Sequence, residues 1–332
     1  MQARRAGRLP RASRGYDPAM RDARLESKSI VVIGNLHSRR TRALYTRALA
    51  MLEARGLTIV SSQPVERGGD MVATVERAIA DGNDYVVVAG GDGSMTSVVG
   101  AFAHRTCVLG VLPLGTGNSF AQTLGIAPTL EAAVDVIACG RVARVDLGVV
   151  NGRHFANFAT IGLSSTIARA TPDRLKKIFG PLAYALAGVA PLLRSASFDA
   201  RVTWEREEKR VRTHQIIVAN GRYFGFTPVL PDASIVDGVL SLFTTSGCSR
   251  WEIARMFVAF HRKRQTTLAD AEYFSAPEIA VWAEPPQALD IDGERFGETP
   301  ARFSIDPRAL RVLVPLDFTG VDEAVSSPPS AD

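Results

Sequence analysis

The residues best suited to chemistry stand in the segment YVVVAGGDGSMTS, residues 85–97. It opens with a short apolar run rich in β-branched side chains, which is typical of a buried strand in a parallel sheet. Three glycines follow within four residues, and their lack of a Cβ lets the backbone turn sharply and approach a ligand closely. We predict that Ser94 caps the helix that comes next, since a helix start after such a loop attracts phosphate.

Asp92 lies inside this glycine loop, where it would repel a bare phosphate. A divalent cation between them makes the pair compatible, because magnesium prefers carboxylate and phosphate oxygens. The loop therefore predicts a magnesium-nucleotide site, while GGDG alone fits an ordinary strand-to-helix turn equally well. A second glycine loop, residues 114–120, follows the next predicted strand and contains Thr116. Two such loops at adjacent strand ends favour a nucleotide cleft.

The elements that position both loops alternate between strand and helix from residue 29 to residue 150. Strand patterns occur at 30–33, 57–60, 85–89 and 107–112, and helical patterns occur at 41–55, at 71–80 and after the cap Thr129. This alternation predicts an α/β domain with a parallel sheet covered by helices on both faces. Ligands of such domains bind at the carboxyl ends of the strands, where both glycine loops lie.

The pattern changes in residues 151–315, where apolar and polar residues alternate and most strands follow one another without a helix. This predicts a β-rich antiparallel sandwich domain. We expect strands at 153–161, 198–204, 211–219, 235–243, 278–283 and 287–292, with helical stretches near 172–194 and 250–263. The last strand of this domain can return to the first domain.

Composition narrows the class of protein. An apolar fraction of 46% with 22% charged residues is typical of a soluble globular protein. Five arginines and one aspartate in residues 1–19 supply +4 of the net charge of +5, so composition does not support nucleic-acid binding. We predict that residues 1–28 are a disordered basic arm or an extended start, and that residues 316–332 are a disordered tail. Three distant cysteines indicate neither a disulfide framework nor a thiolate metal site.

Taken in order, several motifs of the chain resemble the lipid kinases that share the diacylglycerol kinase catalytic domain, including bacterial diacylglycerol and sphingosine kinase-like proteins. The resemblance extends from about residue 29 to residue 315. Its pieces are VVVAGGDGSM, LGVLPLGTGNSFA, DLGVVNGRHFANFATIGL, IIVANGRYFG, LPDASIVDGVLSL, LDIDGE and PRALRVLVP. Each piece is weak alone, but the ordered set is a strong signal.

The resemblance implies ATP-dependent transfer of a phosphoryl group to a lipid hydroxyl, with the proton acceptor in the DGE motif. Glu294 is our first choice for this acceptor and Asp292 is the second, because a lipid hydroxyl must lose its proton to a carboxylate within reach. The implied nucleotide-binding residues are Gly91, Asp92, Gly93, Ser94, Met95, Thr96, Ser97 and Thr116.

The resemblance also implies two magnesium sites. Asp92 and Asp146 would belong to a magnesium–water network, and Asp237 would hold a second, structural ion together with Ser234 and Val239. The same aspartates suit ordinary turns: Asp292 and Asp237 each precede a glycine, and Asp146 stands at a strand-to-glycine junction.

Three departures from the family pattern bear on these expectations. Leu36 stands where the family has the proline of its Asn-Pro-x-Ser-Gly phosphate turn. Thr96 and Ser97 replace an Asn-Glu pair. Ser119 replaces an acid of the bacterial diacylglycerol kinases, which removes one carboxylate from the magnesium network and weakens the case for diacylglycerol as substrate.

A lipid acceptor predicts a cytoplasmic enzyme that associates peripherally with membranes. Membrane contact would come from the apolar stretch 178–193, which is too short for a span, or from the basic segment 261–264. The alternative for both is a core-facing helix with solvated basic ends. Two other functions stay open: a kinase with a soluble acceptor, similar to the NAD kinases, and a non-catalytic nucleotide or lipid sensor. Exposed strand edges make a homodimer possible.

Overall fold

The computed structural model describes residues 28–36, 38–66, 70–162, 196–224, 227–228, 230, 233–246 and 271–320. The helices predicted near 172–194 and 250–263 lie outside these ranges, as do the basic arm up to residue 27 and the tail beyond residue 320. Within the described ranges, no helix is both long enough and apolar enough to cross a membrane.

The N-terminal part is an α/β layer structure, as the sequence predicts. Its elements are β1 (Ser29–Asn35), α1 (Arg39–Ala54), β2 (Thr58–Val65), α2 (Met71–Ala80), β3 (Tyr85–Gly90), α3 (Asp92–Val98), β4 (Val108–Pro113), α4 (Ser119–Thr123), α5 (Leu130–Cys139) and β5 (Arg141–Val150). Strands β2, β1, β3 and β4 lie side by side in that order and pair in parallel. Helix α1 packs beside α5, and α2 packs beside α3.

Local capping signals fix most of these helices. Thr129 caps α5 as predicted, accepting a hydrogen bond from the Ala132 amide at 3.2 Å, and α2 has its predicted bounds. The predicted cap at Ser94 is wrong. Helix α3 begins at Asp92 directly after Gly91, which has no side chain to cap it. Ser94 is buried inside the helix, where its hydroxyl accepts a hydrogen bond from Asn35 Nδ2 at 2.9 Å.

The remaining chain is almost entirely β-structure. Its strands are β6 (Arg153–Phe155), β7 (Phe158–Gly162), β8 (Phe198–Trp204), β9 (Glu207–Thr213), β10 (Gln215–Ala219), β11 (Tyr223–Phe224), β12 (Thr227–Pro228), β13 (Leu240–Thr245), β14 (Ala271–Ala276), β15 (Glu278–Glu284), β16 (Ala288–Ile291), β17 (Glu294–Glu298) and β18 (Ala301–Val314). Six of them form an antiparallel sheet in the order β14-β13-β10-β7-β16-β17.

The 14-residue strand β18 joins the two parts of the molecule. Its C-terminal end pairs in parallel with β4, while its N-terminal end pairs antiparallel with β15, so the parallel sheet continues into β18, β15, β8 and β9. Strand β5 pairs antiparallel with both ends of β18 across a bulge between Asp306 and Leu310. One layer of the predicted sandwich is therefore an extension of the first sheet, and the six-stranded sheet is the other.

A second hydrophobic core fills the space between these two layers. Apolar residues of the six-stranded sheet and of the extended sheet form one buried cluster, which includes Ile161, Val218, Leu289, Val202, Val281 and Phe303. The alternation of buried and exposed residues along β8 is the pattern that such a two-layer structure requires.

Several predicted strands differ from those observed. The strand predicted at 153–161 is interrupted at Ala156 and Asn157, because these residues turn their amides toward a carboxylate. The strand predicted at 211–219 is likewise two strands, divided at His214. The strand predicted at 235–243 begins only at Leu240, since a turn occupies the positions before it.

The chain continues past β18 along the protein surface. Residues 316–320, which the sequence assigns to a disordered tail, are bound to the fold: Arg141 Nε donates to the Leu316 carbonyl at 3.3 Å, and the Arg141 guanidinium lies over the Phe318 ring. Ser234 Oγ donates to the carbonyl oxygen of Gly320 at 3.0 Å.

Candidate active site

The two glycine loops meet at the carboxyl ends of β3 and β4. The Leu114 amide donates to the Gly90 carbonyl at 2.8 Å, which extends the pairing of the strands into the loops. A Cβ added to Gly115 would lie 2.6 Å from the Cα of Gly91, so the loops pack backbone against backbone. The adjacency that the sequence predicts is therefore present. It requires glycine at position 115, while a Cβ at position 91 would make a tight contact of 3.2 Å with the Cα of Gly115.

Asp92 joins the two loops through its carboxylate. Its Oδ1 accepts a hydrogen bond from the Ser119 amide at 2.5 Å, and the backbone of Asn118 and Phe120 at the start of α4 also interacts with it. Burial raises the pKa of the Asp92 carboxyl, and these donors oppose the increase. Ser119, which stands where the family has an acid, thus holds Asp92 through its backbone.

The other residues predicted to bind nucleotide differ in whether their side chains are buried or exposed. The side chains of Ser94, Met95 and Thr96 are buried, and Ser97 Oγ donates to the Ser94 carbonyl at 2.8 Å. Thr116 is exposed in the second loop. Contact with a ligand here would therefore come from the backbone of Gly91 to Gly93 and from Thr116.

The DGE motif forms the turn between β16 and β17 and places its two acids differently. Asp292 and Gly293 both have positive φ, 47° and 89°, as tight hairpin turns require. The Asp292 carboxylate is buried among four donors: the amides of Ala156, Asn157 and Phe158 at 3.2, 3.1 and 2.9 Å, and Thr96 Oγ1 at 3.1 Å. Burial, with the nearby Asp92 charge, raises the pKa of Asp292 to about 6.

Glu294 has the opposite environment. Its side chain is exposed and makes no hydrogen bond to any residue that the structure describes. A Cβ added to Gly93 would lie 2.5 Å from Glu294 Oε1, so this carboxylate rests against the first glycine loop. Partial burial raises the pKa of Glu294, and the charge of Arg153 opposes this. The structure therefore brings Asp92, Thr96, Asp292 and Glu294 together.

Asp146 lies in a different environment, at the junction of β5 with the bulge of β18. Its two carboxylate oxygens accept hydrogen bonds from the Arg308 amide at 2.7 Å and the Gly238 amide at 2.9 Å. Burial raises the pKa of the Asp146 carboxyl, and these amides oppose the increase. Asn220 connects this junction to the DGE turn, because its Nδ2 donates to the carbonyls of both Asp146 and Ala156, at 2.9 and 2.8 Å.

The residues predicted to hold a structural ion surround the same junction. Asp237 is exposed and its Oδ1 accepts a hydrogen bond from the Val239 amide at 3.2 Å, while Ser234 is buried. Across the ranges that the structure covers, no group of three or more His, Cys, Asp and Glu side chains is arranged to hold a metal ion. Asp92 still fits magnesium, because this ion is commonly bound by one or two carboxylates together with substrate phosphates.

Sequence reasoning missed three residues that support the site. Asn157 is buried next to Asp292, and Thr123 Oγ1 donates to Asn157 Oδ1 at 2.9 Å. Asn220 Nδ2 donates to the carbonyl of the neighbouring residue, Ala156. A cavity of about 150 Å³ beside Thr123 is lined by α4, Arg222 and residues 315–320. The available signal was the polar Asn157 inside the mostly apolar run FANFATIGL.

Comparisons with known proteins agree with this architecture. A family model described as the diacylglycerol kinase catalytic domain matches residues 29–150, and one described as the YegS C-terminal NAD kinase beta sandwich-like domain matches residues 158–314. A diacylglycerol kinase of Staphylococcus epidermidis is 30% identical over 275 residues, covering 81% of this chain and 86% of that relative. The chain belongs to the diacylglycerol kinase catalytic-domain family.

A second relative supports this membership, and a solved structure supports the fold. A diacylglycerol kinase of Staphylococcus aureus is 31% identical over 274 residues, 82% of this chain and 87% of that relative. A solved diacylglycerol kinase structure from Bacillus anthracis shares the fold with a TM-score of 0.67 at 20% identity, covering 89% of this chain and 99% of that one. The predicted family, the predicted fold class and the prediction of an enzyme of the lipid kinase class are confirmed.

Proposed function

We propose that the chain is an ATP-dependent kinase that transfers the γ-phosphoryl group to the hydroxyl of a diacylglycerol- or sphingosine-type lipid at a membrane surface. The observation that carries this proposal is the position of Glu294: an exposed carboxylate, unbonded among the described residues, rests against Gly93 of the glycine loop. Phosphoryl transfer depends on positioning and charge neutralisation, so an acid poised at a phosphate loop suits it.

The nucleotide would bind where the two glycine loops meet. Backbone amides of residues 91–93 and the Thr116 hydroxyl offer donors to phosphate oxygens. Asp92 would hold magnesium, which neutralises phosphate charge when bound. Ser234, Asp237 and Val239 would hold the second, structural ion, and Asp146 fixes their loop through the Gly238 amide.

Glu294 would act as the proton acceptor. The lipid hydroxyl gives its proton to the Glu294 carboxylate as its oxygen forms a bond to the γ-phosphorus, and the bond between that phosphorus and the bridging oxygen breaks to release ADP. The raised pKa of Glu294 suits this role, because a carboxyl with a higher pKa is a stronger base once ionised.

The acceptor would be reached from the cytoplasmic face of a membrane, with the enzyme bound peripherally. The predicted membrane contacts at 178–193 and 261–264 lie outside the described residues. Among the described residues, the two sheets begin and end at β2 and β9 and at β14 and β17, and pairing at one of these strands is the proposed route to a homodimer. A soluble acceptor is the second candidate, because residues 158–314 match a domain described as NAD kinase beta sandwich-like.

The deciding experiment supplies γ-labelled ATP and magnesium to the purified protein. Mixed micelles would carry diacylglycerol, monoacylglycerol, sphingosine, ceramide or phosphatidylglycerol, and NAD would be offered in a separate reaction. We expect label in a lipid, reduced about 100- to 10,000-fold by Glu294→Gln. Glu298→Gln is the matched control, because Glu298 is an exposed acid of the same strand that pairs with Arg295.

Two results would contradict the proposal. Label that appears in NAD and in no lipid would establish the soluble-acceptor kinase instead. Equal transfer by Glu294→Gln and Glu298→Gln would remove Glu294 from the chemistry, whatever the acceptor.

A further inference from the structure

We propose that Asn157, held by Thr123, is a positioning residue of this kinase that fixes the DGE turn relative to the nucleotide loops, with Asp292 as the anchor of that turn and not the proton acceptor. The test of this inference by kcat rests on the proposed function. The test by titration of Asp292 does not depend on the reaction.

Four donors occupy the carboxylate of Asp292. A carboxylate has two oxygens with about four lone-pair positions. Three are directed at backbone amides, since Oδ1 accepts from Asn157 and Phe158 and Oδ2 accepts from Ala156. The fourth is 3.1 Å from Thr96 Oγ1. A lipid hydroxyl therefore finds no unoccupied position on Asp292, in contrast to Glu294.

The segment that supplies the three amides is itself held in place. Ala156 and Asn157 separate β6, which pairs with β5, from β7, which belongs to the six-stranded sheet, and further hydrogen bonds hold them in place. The Asn157 carbonyl accepts from the amides of Asn220 and Gly221 at 2.7 and 2.8 Å. A Cβ added to Gly221 would lie 2.6 Å from Asn157 Oδ1, so the contact is close-packed. These contacts act together with the Thr123 hydrogen bond to limit movement of the segment relative to the carboxylate.

Helix α4 connects this segment to the nucleotide loops. The amide of its first residue, Ser119, donates to Asp92, and the hydroxyl of its last residue, Thr123, donates to Asn157 Oδ1 at 2.9 Å. One short helix thus contacts the glycine-loop acid at one end and the support of the DGE turn at the other. A displacement of α4 would move Glu294 relative to Gly93.

The consequence for catalysis is specific. Loss of the Thr123–Asn157 hydrogen bond leaves the glycine loops themselves unchanged, so nucleotide binding persists while the DGE turn shifts. Small misplacements of a reacting group can reduce rates about 100-fold. We therefore expect the effect in kcat and not in the KM for ATP.

The test uses two variants at each position. Thr123→Val removes the hydroxyl at nearly constant shape and is expected to lower kcat about 10- to 100-fold, with the KM for ATP within about twofold. Thr123→Ser retains the hydroxyl and should have a kcat close to that of the wild type. Asn157→Asp keeps an oxygen for Thr123 but adds a negative charge beside Asp292, and should raise the pKa of Asp292 in carboxyl ¹³C NMR titration. Asn157→Ala removes the oxygen and should repeat the kcat loss of Thr123→Val.

Thr203→Val serves as the control, because Thr203 lies on β8 and makes no hydrogen bond through its side chain among the described residues. Wild-type kcat in Thr123→Val, or a loss confined to the KM for ATP, would overturn the proposal. An unchanged Asp292 titration in Asn157→Asp would overturn it as well. If the wild type phosphorylates no lipid but Asn157→Asp shifts the titration, the proposed function fails and the anchoring of Asp292 stands.

Discussion

Two Asp-Gly turns, at 237–238 and at 292–293, are built from the same dipeptide but are used differently by the fold. In both, glycine has positive φ, 74° at Gly238 and 89° at Gly293. In the 237–238 turn the aspartate is exposed, and a distant buried acid, Asp146, binds the glycine amide. In the 292–293 turn the aspartate is itself the buried acid.

The residue after each glycine completes the contrast. Val239 begins the approach to β13, whereas Glu294 presents an exposed carboxylate to the first glycine loop. Burial raises the pKa of both Asp146 and Asp292, so a raised pKa marks buried architecture at either turn. In the proposed function, the feature that distinguishes the 292–293 turn is the exposed acid of Glu294 beside the first glycine loop.

The largest difference in kcat between the two turns should come from replacing each buried aspartate by asparagine. Asp292→Asn and Asp146→Asn each exchange an accepting oxygen for a donor that faces a backbone amide, which costs about 1–3 kcal/mol of stability per unsatisfied group. Only Asp292→Asn displaces Glu294, so we expect a loss of about 100-fold in kcat there and less than about threefold for Asp146→Asn. Kinetics well below each variant's melting temperature would measure this.

A different outcome would change the assignment of Asp146. If Asp146→Asn melts like the wild type but needs a much higher magnesium concentration for half-maximal rate, Asp146 serves the metal directly, as the family resemblance implies. The 237–238 turn would then belong to a magnesium site, and the 292–293 turn to the site of the proton acceptor.

The pH dependence of stability should sharpen the same contrast. The folded pKa of Asp292 is about 6, above the ordinary value of 3.8, so folding takes up a proton between these values. The stability that this group contributes is fully present below about pH 4 and is lost as pH rises through about 6. The difference amounts to about 3 kcal/mol at 1.36 kcal/mol per pKa unit.

Denaturant unfolding at pH 4 and pH 7 would measure this change in the wild type and in Asp292→Asn, whose side chain does not titrate. Most of that change falls between pH 4 and pH 7, so the wild type should lose about 2 kcal/mol relative to the variant across the interval. A constant difference between the two proteins would show that Asp292 titrates at an ordinary pKa despite its burial.

The turns also show how far the sequence could predict the molecule. The α/β half was predicted well because its signals are local. Apolar runs mark β1 and β3, the cap Thr129 marks the start of α5, and the helical pattern of residues 71–80 gives the bounds of α2. The β-rich half was divided less accurately, because the break at Ala156 and Asn157 exists to bind a carboxylate that lies about 135 positions later, at Asp292. No local pattern encodes such a distant partner.

In the candidate site too, residues in local motifs could be predicted and contacts between distant residues could not. Asp92 and Glu294 stand in short motifs whose chemistry can be read directly, and the fold places them beside one another. The support of the site could not be predicted, because Thr123 meets Asn157 only after α4 packs against the β-rich part. The cap assigned to Ser94 was wrong for a related reason, since the contact of Asn35 with Ser94 depends on the neighbouring strand β1.

The smallest expected effect compares the two glycines as a matched pair. Neither Gly238 nor Gly293 has an atom within 4 Å of an added Cβ, so alanine would meet no steric clash at either position. Both have positive φ, where an L side chain costs about 1–2 kcal/mol. Gly238→Ala and Gly293→Ala should therefore destabilise the protein equally, by about 1 kcal/mol.

Their catalytic effects should differ, because strain at residue 293 is relieved by rotation of the turn that carries Glu294, whereas strain at residue 238 is relieved in a loop without an exposed reactive acid. We expect Gly293→Ala to lower kcat about 3- to 10-fold and Gly238→Ala to leave it within about twofold. Parallel melting curves and kcat values on one lipid would compare them. Equal kcat losses at equal stability would mean that the 237–238 turn is coupled to the reaction as closely as the DGE turn is.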